Sequence, residues 1–179
     1  MPEEVARRRL QLFEALELRS EYDARIKTLK ECLPEARENR GWLRSLPREE
    51  NRLASPDFDL AAARAEIAGL EVKRRKINTA IQQANFGHRI DLDGEAVTLS
   101  EALEIRKRLN ERIGELHAQS VASAWQRVIY KEGRDIVEPP EVSYGDVVRR
   151  LDETRVAFRS LNRKLRVASF EVTVDYRDE

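Results

Sequence analysis

Residues 99–106 read Leu99-Ser100-Glu101-Ala102-Leu103-Glu104-Ile105-Arg106, and residues 12–19 read nearly the same: Leu12-Phe13-Glu14-Ala15-Leu16-Glu17-Leu18-Arg19. The correspondence continues at a constant offset, which places Ile26 and Leu29 opposite Ile113 and Leu116. Because such an internal match is the mark of a repeat, the chain is interpreted as one helical segment written twice.

The two copies have the spacing of amphipathic helices. Apolar residues recur every three or four positions from Val5 to Leu33 and from Leu99 to about Trp125, which predicts two long helices. Arg19 and Arg106 interrupt the apolar stripes at equivalent positions. Each stripe therefore carries one cation where a neighbouring helix is expected.

A second pair of helices matches at an offset of 84 residues. The first of this pair is expected to begin at Ser55-Pro56-Asp57 and to end near Asn85, and the second is expected to open at Ser143 with Asp146 as a capping box. Ile77-Asn78 in one corresponds to Leu161-Asn162 in the other. Residues 5–98 and 99–176 are thus predicted to be repeat halves of a single domain spanning residues 1–179.

Short β-ribbons are predicted beside these helices. Asp93-Gly94 separates the short runs Arg89 to Leu92 and Glu95 to Thr98 and favours a tight hairpin. Residues 128–137 alternate loosely around Gly133, and residues 170–176 alternate as a strand. Residues 35–54 are interpreted as a polar loop with one helical turn. The predicted fold is mainly α, an antiparallel, coiled-coil-like four-helix bundle built from two duplicated helical hairpins.

Composition narrows the possible functions. The 33 basic and 33 acidic residues balance, which argues against a dedicated nucleic-acid or anionic-membrane binder. The single cysteine, Cys32, has no partner within the chain, and no run of residues is long and apolar enough to span a membrane. The sequence predicts a soluble cytoplasmic protein.

The chain resembles a bacterial family of septicolysin-like helical proteins, whose function is largely unknown. The resemblance lies in residues 14–19, in the ending Ile81-x-x-x-Asn85, in the Asp93-Gly94 hairpin and in residues 99–106. The sequence departs from the family pattern at Gln82, Ala84 and Ser169-Phe170. The family name implies a cytolysin.

Four polar positions within the stripes are the first candidate site. Arg19 and Arg106 form either a paired site for a phosphate or carboxylate or, as is more common, structural cations whose guanidinium groups meet a glutamate or a helix end. Asn78 and Asn162 are expected to fix helix register and partner number, which is a role in specificity.

Two weaker patterns point to nucleic acid. Arg112 and His117 have the loose spacing of small helical ribonucleases of toxin or phage-defence type, with His117 as general acid or base. Two basic runs, Lys73-Arg74-Arg75-Lys76 and Arg163-Lys164-x-Arg166, form either a binding stripe or solvated helix faces. Neither His88 nor His117 has a glutamate three residues before it, so no di-iron site is expected.

The sequence therefore favours a non-enzymatic, self-associating scaffold or interaction protein without metal or cofactor. A homo-oligomer is expected through the broad apolar faces of the first and third helices, which carry Leu16, Leu18, Leu103 and Ile105. The alternatives are a nucleic-acid binder or helical ribonuclease and, from the family name alone, a cytolysin.

Overall fold

The computed structural model describes residues 9–33 and 55–178. Within them the chain is mainly helical with small antiparallel ribbons, as predicted; the loop predicted at 35–54 lies outside the described residues. The elements, in chain order, are β1 (Leu10–Gln11), α1 (Leu12–Cys32), α2 (Leu60–Gly87), β2 (Arg89–Leu92), β3 (Glu95–Thr98), α3 (Leu99–Ser123), β4 (Arg127–Lys131), β5 (Arg134–Glu138), α4 (Tyr144–Glu171) and β6 (Thr173–Val174).

The chain divides into two compact units. Unit 1 comprises residues 1–84 together with 170–179, and unit 2 comprises residues 85–169. The boundaries fall in the last turns of α2 and α4, so the final residues of the chain complete the first unit rather than the second.

Unit 1 is an antiparallel pair of helices closed by a C-terminal segment. Residues of α1 contact residues of α2 in reverse order, and Leu10 and Gln11 of β1 pair with Val174 and Thr173 of β6. Ile77 and Ile81 are almost completely buried, and each contributes roughly 1.5–3 kcal/mol to stability. The other buried apolar residues of this core are Leu12, Ala15, Tyr22, Ile26, Leu33, Ala63, Ile67, Leu70, Ala80, Val172, Val174 and Tyr176.

Unit 2 has two apolar clusters along its helix pair. At one end, Ala102 of α3 and Leu161 of α4 pack with Val97 of β3, and the β2–β3 hairpin covers them with Ile90 and Leu92. At the other end, Leu116 of α3 packs with Val147 and Leu151 of α4. Early residues of α3 thus meet late residues of α4, so this pair is also antiparallel.

The same local contacts occur in both units at the offsets found in the sequence. The backbone N–H of Gln11 donates to Glu14 at 2.7 Å, and that of Thr98 donates to Glu101 at 2.7 Å. These carboxylates satisfy amides that a helix start leaves without an intrahelical partner. Three further contacts of unit 1 have an equivalent in unit 2. The strand pairing Leu10↔Val174 corresponds to Val97↔Ile90. Among the backbone hydrogen bonds, the one from Leu12 N–H to the Val172 carbonyl corresponds to the one from Leu99 N–H to the His88 carbonyl, and the one from Ala63 N–H to the Asp59 carbonyl corresponds to the one from Val147 N–H to the Ser143 carbonyl.

Several predicted boundaries were wrong by a few residues. The first helix begins at Leu12 instead of Val5, because residues 10–11 pair as a strand. The second begins at Leu60 instead of Ser55, because Asp59 Oδ1 accepts from the N–H groups of Ala61 and Ala62 and so caps the helix. The last helix continues through Glu171, which shortens the predicted strand at 170–176 to β6.

Candidate functional site

Two polar stripe positions predicted from the sequence meet in unit 1. Arg19 of α1 donates from Nη1 to Oδ1 of Asn78 on α2 across 3.2 Å. Arg19 is half-buried and Asn78 is exposed, so the bond lies at the rim of the helix interface. The arginine has an amide partner at this point, where the sequence had suggested a glutamate or a helix end.

Three ion pairs extend this contact along the two helices. Arg74 binds Asp23 at 2.9 Å, and Arg25 binds Glu66 at 2.8 Å. Lys30 binds Glu71 at 2.6 Å and holds the pKa of that carboxyl below its ordinary value. Because these side chains are about half exposed, water screens the pairs, and they fix the helix register more than they add stability.

The Arg19–Asn78 hydrogen bond and the three ion pairs form a polar ladder between α1 and α2, and this ladder borders an open cleft. The cleft has a volume of about 600 Å³ and is lined by Arg19, Asp23, Glu71, Arg74, Arg75 and Asn78. Three guanidinium groups face two carboxylates there, so the lining carries one excess positive charge. Arg75 forms no ion pair with any described residue, unlike Arg74, which binds Asp23.

A second cleft in unit 1 also includes Arg75. Its volume is about 410 Å³, and α2 and the C-terminal segment line it. Arg75, Lys76 and Arg177 face a single carboxylate, that of Asp175, and within the described ranges none of the three cations has an acidic partner. The Gln83 amide completes a lining suited to an oxyanion, whereas the Thr79 hydroxyl already donates its proton to the Arg75 carbonyl at 3.1 Å.

Buried tyrosines hold the C-terminal segment in place. The hydroxyls of Tyr22 and Tyr176 lie 3.3 Å apart, and burial together with the nearby Asp178 raises the pKa of Tyr22. Lys73 binds Asp178 at 2.8 Å and, with Tyr22, lowers the pKa of that carboxyl. The pKa of Lys73 is raised by the same contact. Arg177 and Asp175 are therefore positioned beside α2 by their anchored neighbours.

The equivalent polar positions of unit 2 do not meet. Arg106 is exposed and Asn162 is half-buried, and in the described part of the chain no hydrogen bond joins them. The ion pairs of α3 and α4 instead link residues within one helix, as in Arg112–Glu115 and Arg155–Asp152, apart from Lys164, which reaches the β2–β3 hairpin. The ladder between helices is therefore a property of unit 1.

The residues of the ribonuclease pattern are separated on the surface of α3. Arg112 donates to Glu115 at 2.8 Å, and both Arg112 and His117 are exposed. Five residues along a helix correspond to a rotation of about 140° around its axis, so the two side chains leave α3 in different directions. The structure does not bring this pair together.

The two basic runs differ in how many of their charges are already paired. Lys73 and Arg74 bind Asp178 and Asp23, and Lys164 donates to the Asp91 carbonyl at 2.8 Å. Arg163 and Arg166 are exposed. Among the described residues, no group of three or more histidine, cysteine or acidic side chains is placed to hold a metal ion.

The sequence analysis did not predict that many large apolar side chains in and beside the β4–β5 ribbon are exposed. Trp125 is 80% exposed and Tyr130 is 74% exposed. Within residues 9–33 and 55–178, eight of the fourteen exposed large hydrophobic residues lie between positions 121 and 144: Val121, Trp125, Val128, Tyr130, Ile136, Val137, Val142 and Tyr144. The alternation around Gly133 predicted the ribbon, but a period of two does not show whether the apolar side chains of one face, Val128, Tyr130 and Val137, are covered by the rest of the chain.

Comparison with known protein families, curated proteins and solved structures finds no match for this chain. None of the helices in the described ranges is long and apolar enough to cross a membrane.

Proposed function

We propose that this chain is a non-enzymatic helical protein that associates with itself and serves as a scaffold or interaction module. The proposal rests on the exposure of eight large apolar side chains between positions 121 and 144, in and beside the β4–β5 ribbon. Large apolar patches on a protein surface are costly in water and mark sites of association.

The ribbon surface supports this proposal better than the helix faces first expected to associate. Leu16 is 36% exposed, as Ile136 of the ribbon is, but Leu18, Leu103 and Ile105 are partly buried within the monomer. Ile105 already packs against the cluster around Ala102. Part of the broad apolar face of α3 is therefore used inside unit 2.

Mass determination by light scattering tests the proposal. We expect the purified chain to have a mass at least twice that of the 20.8 kDa monomer at micromolar concentration. The double variant Val128→Ser/Val137→Ser, which makes one face of the ribbon polar, is expected to shift the population toward monomer. The double variant Val156→Ser/Val167→Ser, at exposed positions of α4, is the matched control. A wild-type monomer would contradict the proposal.

Nucleic-acid binding is the second candidate function, because the two clefts of unit 1 contain Arg75, Lys76 and Arg177 without acidic partners among the described residues. Such cations bind phosphates through counterion release, so affinity falls steeply with salt. If this function is correct, Arg75→Glu abolishes the retention of single-stranded RNA at low salt, while Arg166→Glu on α4 has little effect. Retention that is unchanged in Arg75→Glu would exclude the clefts.

We also infer that residues 5–98 and 99–176 descend from one duplicated segment. The helix caps, the strand registers and the first backbone bonds of the helices recur at offsets of 87 and 84 residues, which supports this origin. The Arg19–Asn78 contact and the clefts belong to unit 1, so the two copies have diverged at these positions since the duplication.

A further inference from the structure

The β4–β5 ribbon has two outer edges that no described strand covers. Its two-residue turn, Glu132-Gly133, has positive φ values of 55° and 78°, which is the geometry of a type I′ hairpin. In such a hairpin the residues flanking the turn, Lys131 and Arg134, exchange both backbone hydrogen bonds. The amides and carbonyls of Asp135 and Val137 therefore point away from β4, toward the free edge of β5.

The free edge of β5 is complementary in charge to itself. If two copies of β5 pair antiparallel about an axis through Ile136, Arg134 of each copy lies opposite Glu138 of the other. Opposite charges across a strand pair stabilise it. A shift of two residues toward the turn would instead place Asp135 opposite Asp135 of the second copy, which like charges disfavour.

The free edge of β4 lacks this complementarity. Antiparallel pairing of two β4 strands about Ile129 would place Arg127 opposite Lys131 of the second copy, so two cations would meet at each end. Pairing is also limited on β5, because Pro139 lacks an N–H and cannot extend the ladder beyond Glu138. The arrangement of charges therefore favours pairing between two β5 strands over pairing between two β4 strands, and Pro139 limits the length of the β5 pairing.

We propose that two copies of this chain pair through their β5 strands and form a four-stranded antiparallel sheet. The inference rests on the self-association proposed above and names its interface. Asp135 and Val137 of each copy exchange four backbone hydrogen bonds with the other copy. Ile129 and Ile136 of both copies lie in one row on the same face, with charged rows on either side. A lone two-stranded ribbon is only marginally stable, and the second copy doubles its strands.

Charge exchange between two variants tests the proposal. Glu138→Arg places two arginines opposite each other at both ends of the interface, and Arg134→Glu places two glutamates there. Each variant alone is expected to dimerise about tenfold more weakly than wild type, or worse. An equimolar mixture of the two is expected to recover wild-type affinity as a heterodimer, because each end then joins an arginine to a glutamate.

Lys131→Glu is the control, because it changes the charge of β4 without facing the second copy and is expected to leave the dimer mass unchanged. Far-UV circular dichroism checks that every variant keeps its helices. A wild-type monomer would overturn the self-association and this interface together. A wild-type dimer that neither charge variant weakens would overturn the β5 interface alone. A mixture that fails to reassociate would overturn the antiparallel register.

Discussion

At the scale of single residues, the contact between Arg19 and Asn78 is a feature by which unit 1 differs from unit 2. The sequence identified both residues, and their counterparts Arg106 and Asn162, as polar interruptions of apolar stripes. Which of them meet depends on the tilt and spacing of two helices, which a periodic pattern does not specify. The structure joins the pair in unit 1 and leaves its counterparts apart.

A double-mutant cycle measures this difference. Replacing Arg19 and Asn78 by alanine, singly and together, is expected to give a coupling energy of about 0.5 kcal/mol, because the bond is charge-assisted but lies at the rim. The same cycle on Arg106 and Asn162 is expected to give a coupling near zero. Urea unfolding supplies the free energies, and equal coupling in both cycles would contradict the assignment.

The contact of Asp178 with Lys73 predicts a dependence of stability on pH. A free aspartate has a pKa of about 3.9. Because Lys73 and Tyr22 lower the pKa of Asp178 in the folded state, the unfolded chain takes up its proton first as pH falls. The contribution of this carboxylate is thus fully present above about pH 4 and is lost as pH falls through the lower, folded pKa.

Asp178→Asn is therefore expected to make the loss of stability below pH 5 shallower, while making the protein less stable at pH 7. Asp175→Asn, which removes a carboxylate from the same segment without affecting Lys73, is the control. Urea unfolding midpoints measured at half-unit steps between pH 3 and pH 7 provide the comparison. Parallel pH profiles for wild type and Asp178→Asn would show that the contact is absent in solution.

At the scale of elements, local signals predicted the fold where the decisive residues are neighbours in sequence. The strands on either side of Asp93-Gly94 have the predicted bounds, because residues 93 and 94 adopt the positive φ values, 54° and 90°, that this dipeptide favours. The start of α2 was misplaced because two capping signals compete within five residues. The sequence did not predict the pairing of β1 with β6, because a strand of two residues is too short to show an alternation of apolar and polar residues.

The two hairpin turns are expected to respond differently to the loss of glycine. Gly94→Ala and Gly133→Ala each place a side chain at positive φ, which costs roughly 1 kcal/mol. The β2–β3 hairpin covers the Ala102 cluster, so Gly94→Ala is expected to lower the melting temperature of unit 2. Gly133→Ala is expected to leave it unchanged, because the β4–β5 ribbon lies outside both clusters of that unit. Thermal unfolding by circular dichroism distinguishes the two outcomes.

At the scale of the whole molecule, each unit has its own core, and unit 1 depends on residues distant in sequence. Val172, Val174 and Tyr176 are buried in unit 1, although most of α4 belongs to unit 2. Sequence periodicity predicted the extended character of this segment. It could not predict which core the segment enters, because that choice depends on long-range pairing.

Truncation is expected to affect the units unequally. A chain ending at Glu171 loses three buried apolar side chains and the partner strand of β1, so unit 1 is expected to lose most of its stability. A chain ending at Tyr176 keeps them and is the control. Hydrogen exchange followed by mass spectrometry is expected to show faster exchange in α1 and α2 after the first truncation, with α3 protected as before. Equal loss of protection in both units would contradict this separation.

The partnership of β1 with β6 also has a consequence for synthesis on the ribosome. Residues 85–169 are contiguous, so unit 2 has all of its strands and helices once its own stretch has emerged. Translation of unit 1 starts earlier, but its fold cannot be completed before residues 172–176 are translated, which happens after all of unit 2. We therefore expect the second unit to mature before the first, with α1 and α2 exposed to chaperones in the interval.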